Sequence, residues 1–118
     1  MGQIVTWSVR DETLHCNSMI RLFKDFIKEN PSIWNEKLKK EIYDACKTII
    51  SHEDAFIDLA FQMGPLEGLT ANEIKQYIRF IGNRRLEQLG LSPIYDVQKN
   101  SCVQLRSTYY LTKLKDFF

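Results

Sequence analysis

Glycine and proline are scarce, five and three in a chain of 118 residues. That excludes collagen-like and low-complexity architectures and leaves few points where regular structure must break. Cysteine is scarce too. Cys16, Cys46 and Cys102 are odd in number, widely spaced and without a CxxC pair. This excludes a disulfide framework and fits a reducing compartment. No sign of charge dominates: 16 basic against 15 acidic residues leave +1, so nothing draws the chain toward nucleic acid or an anionic membrane. No apolar run approaches the ~20 residues that span a bilayer. The opening MGQIVTWSVRDE has no basic stretch leading into an apolar core, which argues against secretion. Strand-type alternation and internal repeats are also missing. What remains is one small, cytoplasmic, all-α domain.

The three prolines divide it. Residues 3–29 lack both glycine and proline and read as one helix, stopped before Asn30-Pro31 because the residue preceding proline is driven out of helical geometry. Residues 33–63 form a second helical run ended by Gly64-Pro65. The third opens on TANE, where Thr70 and Glu73 have capping-box spacing, and runs to about Leu89 before Gly90. A loose tail follows.

Placed at 100° per residue, the first helix gathers Val5, Met19, Leu22, Phe23, Phe26 and Ile27 on one face. Glu12 and His15 fall in the middle of that face, and Asp11 lies at its edge. A carboxylate in an apolar interior costs several kcal/mol unless a charge or metal compensates it. Glu-x-x-His presents two metal-compatible groups on one side of a helix, the arrangement used by ferritin-like di-iron bundles. Spacing alone also allows a solvated pair or an internal hydrogen bond.

Other polar intrusions need no metal. Glu53 falls among Ile42, Cys46, Ile49, Phe56 and Ala60, and Arg85 falls among Ile74, Ile78, Ile81 and Leu89. A buried Glu53–Arg85 ion pair between the second and third helices accounts for both. His52, at the edge of its face, is expected to be hydrogen-bonded or exposed. Cys16 and Cys46 read as small buried hydrophobes, Trp7 and Trp34 as packing residues, and Lys37, Lys39 and Lys40 as a solvated face.

RDETLH, then YDACKTIISHEDAFIDLAF, then EIKQYIRFIGNRRLEQLGLSPIY together resemble the small, radical-generating beta subunit of class I ribonucleotide reductase. The resemblance covers residues 3–100. It implies three helices of a partial ferritin-like bundle, with residues 1–100 belonging to the family's helical domain and 101–118 forming a divergent tail. It implies that Glu12 and His15 ligate one iron of a di-iron (or mixed Mn/Fe) centre, and that Asp11, preceded by Arg10, lies on the hydrogen-bonded radical-transfer route. The implied activity is that of ribonucleoside-diphosphate reductase, an oxidoreductase that makes deoxyribonucleotides for DNA. The implied partners are the large (alpha) subunit and a second beta subunit. The family's further ligands (an Asp, an ExxH pair and a Glu) and its radical Tyr precede RDExxH and have no counterpart in these residues. The chain alone is therefore expected to be inactive. Tyr109 and Tyr110, in the divergent tail, take no radical-transfer role. The alternative is a non-catalytic three-helix remnant or helical interaction module.

Overall fold

The computed structural model describes residues 2–65 and 67–97. It contains α1 (Gly2–Glu29), one 3-10 turn (Pro31–Ile33), α2 (Glu36–Gln62) and α3 (Ala71–Gln88), with no β-strand among the described residues. The all-α expectation is met. The 101–118 tail, with Tyr109, Tyr110 and Cys102, lies outside the described residues.

Local chemistry sets the boundaries. At the end of α1, Asn30 donates both its backbone N–H and its side-chain amide to the Phe26 carbonyl, at 2.9 and 3.0 Å. α2 starts later than the expected residue 33. The 3-10 turn occupies Pro31–Ile33, and Asn35 then caps the helix by accepting the Leu38 N–H at 2.9 Å. The capping box of α3 is present in full: Thr70 Oγ1 accepts from the Glu73 N–H at 3.2 Å, and Glu73 Oε2 accepts from the Thr70 N–H at 3.0 Å. Gly90 ends α3 at φ 86°, a backbone region that L side chains resist.

The chain divides into two compact units, one holding α1 and the other α2, α3 and residues 91–97. In the second unit Ile50, Ile57, Leu86 and Leu91 are buried. The two helices approach closely at Gly82. A Cβ there would stand 2.7 Å from Ile50 Cδ1 and 3.7 Å from Cys46 Sγ, so the missing side chain is what lets Ile50 seat.

Two ion pairs clip α2 to α3. Arg79 grips Asp54 with two hydrogen bonds, at 3.0 and 2.6 Å, and also donates to the Lys75 carbonyl at 3.1 Å. Lys75 Nζ reaches Asp58 Oδ1 at 2.6 Å. Moving four residues up α2 moves four residues down α3, the pattern of antiparallel neighbours. The expected Glu53–Arg85 pair is replaced by this arrangement. Glu53 is exposed, and Arg85 donates to Gln88 Oε1 within its own helix at 2.8 Å. The physical reason is rotational. α2 turns the stripe through Ile50, Asp54 and Ile57 toward α3, which leaves Glu53 on the flank of that stripe, about 100° around the helix from Asp54.

Candidate metal-ligand face

α1 places its side chains in two adjoining strips. Cys16, Ile20, Phe23 and Ile27 are half-buried. Beside them, Glu12, His15, Met19, Leu22 and Phe26 are all exposed, with Asp11 at their edge. The latter positions are spaced 3, 4, 3 and 4 residues apart, the seven-residue repeat that keeps one stripe facing a neighbouring helix. Glu12 and His15 are therefore not buried within the described residues, as their place on the apolar face suggested, and the carboxylate keeps its hydration. They do share a stripe with large apolar residues: Met19 is 63% and Leu22 60% exposed. An (i, i+3) pair sets the two Cβ atoms about 5–6 Å apart, within reach of one metal ion. Neither side chain has an ion pair or hydrogen bond to another described residue.

Two donors are too few. Among the described residues no group of three or more His, Cys, Asp or Glu is placed to hold a metal, whereas carboxylate- and imidazole-bound transition metals take four or more ligands. The chemistry of the pair fits a metal; the number of ligands does not.

The other unit carries a second uncovered stripe. Ala45, Ile49, His52, Phe56 and Leu59 on α2, and Met63 that caps its end, are exposed, again in alternating steps of four and three. His52 lies on it, solvated as expected. Trp7 is exposed rather than packed, whereas Trp34 is half-buried under Lys39, whose Nζ sits 5.5 Å from the ring centroid and 3.0 Å from Glu36.

Charge chemistry is otherwise concentrated where α2 meets α3. The hydrogen bonds from Arg79 hold the Asp54 carboxyl below the usual carboxylate range, and Asp54 in turn raises the guanidinium. The Tyr95 ring lies 5.7 Å from that guanidinium, and burial pushes its phenol up. Burial also raises the Cys46 thiol, consistent with a packing role. Sequence reasoning missed this cluster, although two acids four apart on α2 opposite two bases four apart on α3 were a readable signal.

With the geometry in place, likeness to known proteins decides the family. The model of the ribonucleotide reductase small chain matches residues 1–102. The chain belongs to that family. It is 48% identical over 101 residues to a probable ribonucleoside-diphosphate reductase small subunit of Invertebrate iridescent virus 3, covering 85% of this chain and 27% of the relative. The corresponding protein of Invertebrate iridescent virus 6 is 38% identical, covering 83% and 33%. The ribonucleoside-diphosphate reductase subunit beta of Chlamydia pneumoniae is 34% identical, covering 100% and 34%. The chain thus spans between a quarter and about a third of the length of these relatives. The match takes in α1, α2 and α3 together, consistent with the family's helical architecture. Among the described residues no helix is long and apolar enough to cross a membrane.

Proposed function

We propose that these residues work as part of a ribonucleoside-diphosphate reductase beta subunit, in the cytoplasm, serving the reduction of ribonucleotides to deoxyribonucleotides. In this reading Glu12 and His15 ligate one metal of a di-iron centre (or its Mn/Fe counterpart), and helices outside the 118 residues bring the remaining carboxylates. When bound, that centre supplies the one-electron oxidant. Asp11, beside the pair, belongs to the hydrogen-bonded route between the centre and the large (alpha) subunit, the partner of a beta homodimer.

One observation carries the proposal: the Glu12–His15 pair stands in an exposed apolar stripe within the segment that matches the family. A solvated surface pair has no need of Met19, Leu22 and Phe26 beside it, whereas a ligand pair awaiting cover does. The second stripe on α2 supports the same reading, since a helix with two apolar faces belongs inside a larger bundle. With two donors and no third, the residues described here do not assemble the centre by themselves.

The test is a chimera in which residues 1–97 replace the matching segment of the 48% identical viral relative. The chimera is expected to take up the di-iron complement, and Glu12→Ala or His15→Ala to lower the iron content with helical content unchanged. A folded chimera holding as much iron without Glu12 and His15 as with them overturns the assignment.

A further inference from the structure

The charges of α1 are sorted rather than mixed. At 100° per residue its basic side chains, Arg10, Arg21, Lys24 and Lys28, fall within about 60° of one another, in a row about 27 Å long. Asp11, Asp25 and Glu29 form a second row about a quarter turn away, because each follows a base directly: Arg10-Asp11, Lys24-Asp25 and Lys28-Glu29. Trp7 and Leu14 stand between the two rows. All of these side chains are exposed. The stripe with Glu12 and His15 runs along the opposite side of the helix from the basic row.

α1 gains nothing by itself from this sorting. A helix that uses its charges internally sets acid and base three or four residues apart. Arg21 and Asp25 have that spacing, yet none of the four bases joins a salt bridge among the described residues; the salt bridges there lie on α2 and α3. Lys24 and Lys28, four apart, repel each other. The helix dipole favours a cation in the last turn only. That accounts for Lys28 and leaves Arg10, Arg21 and Lys24 unexplained.

The neighbouring acids decide what fits. A nucleic-acid duplex or a bilayer presents a broad phosphate surface, which would lay negative charge over Asp11, Asp25 and Glu29 as well as over the bases. A net charge of +1 offers such a surface no long-range attraction either. A single row of carboxylates on a helix is narrow enough to meet the bases alone. We propose that the row from Arg10 to Lys28 is a docking strip for a protein helix bearing such a row, with aliphatic side chains of that helix resting on Trp7 and Leu14. Because the strip lies across α1 from Glu12 and His15, it stands whether or not that pair ligates a metal.

The probe is a synthetic alanine-rich helical peptide with one row of glutamates flanked by leucines; its twin carries glutamine at every glutamate. The full 118-residue chain is expected to bind the glutamate peptide about tenfold or more tighter than the twin at low salt, and to lose that preference as salt rises. Backbone amide signals of Arg21, Lys24 and Lys28 and the indole signal of Trp7 should shift on binding. Lys24→Glu with Lys28→Glu is expected to weaken the glutamate peptide by about tenfold or more and to turn the preference toward a lysine-row peptide, with helical content unchanged. Lys37→Glu, on α2, should leave the affinity as it was. Equal affinity for the two peptides overturns the proposal. So does an equal loss in Lys37→Glu, which would make the effect one of overall charge. Duplex DNA or phosphatidylglycerol vesicles that displace the glutamate peptide from the same amides would overturn it too, by showing that any polyanion suffices. No metal enters the readout, so its failure leaves the metal-ligand assignment standing, and failure of the chimera leaves the strip standing.

Discussion

α1 and the α2–α3 unit treat polar groups in opposite ways. Between α2 and α3, Asp54 meets Arg79, Asp58 meets Lys75, and the buried Asn83 spends its amide on backbone. On α1, Glu12 and His15 stand on an apolar stripe with no such partner among the described residues. A polar group satisfied within its own unit serves the fold. One left open beside exposed hydrophobes points to something beyond that unit. The contrast separates polar residues that hold the fold from those that the proposed function would use.

The largest expected effect tests whether the two regions differ in cohesion. Leu86→Ala, at a site only 2% exposed, is expected to cost about 2–5 kcal/mol in urea unfolding. Met19→Ala on the α1 stripe should stay within about 0.5 kcal/mol. Equal losses would mean that α1's stripe is covered in solution, and the contrast would collapse.

A smaller effect sharpens the electrostatic side. Asp54→Asn is expected to cost about 1–2 kcal/mol at neutral pH, the scale of a charge-assisted pair at a partly solvated site. Because Arg79 depresses the folded carboxyl, the pair's contribution is complete above the unfolded value of about 4. It is lost as pH falls through the lower folded value. Stability curves of the parent chain and Asp54→Asn should therefore converge in acid. Curves that stay parallel down to strongly acidic pH would show that the pair adds nothing through ionisation.

The smallest effect is expected at the metal-ligand candidates. Glu12→Ala and His15→Ala should shift the unfolding midpoint of the chain hardly at all, within about 0.5 kcal/mol, while lowering iron in the chimera. A large loss of stability in the chain alone would make the pair structural.

Much of this was legible in advance. Helix ends are written in local chemistry, so Asn30-Pro31, the Thr70–Glu73 box and Gly90 could be read directly, and RDETLH marked the ligand candidates. The face that α2 turns toward α3 was not legible. Ile42, Cys46, Ile49, Ile50, Phe56, Ile57, Leu59 and Phe61 surround much of that helix, so periodicity selects no single stripe, and the ion pair expected at Glu53 and Arg85 is found one residue later on α2, at Asp54, and six residues earlier on α3, at Arg79. Burial of Glu12 and His15 was expected from amphipathicity alone, which identifies an apolar face but not what covers it. Asn83 left no trace, because its partners are backbone groups that any sequence supplies.

The notch at Gly82 has one more consequence. It works like the slot of a key. If α3 slid a single turn along α2, one salt link could re-form with exchanged partners, Asp54 with Lys75 or Asp58 with Arg79, but a full side chain would arrive where Ile50 Cδ1 now sits. Charge alone would therefore tolerate the neighbouring register, and it is the notch that forbids it.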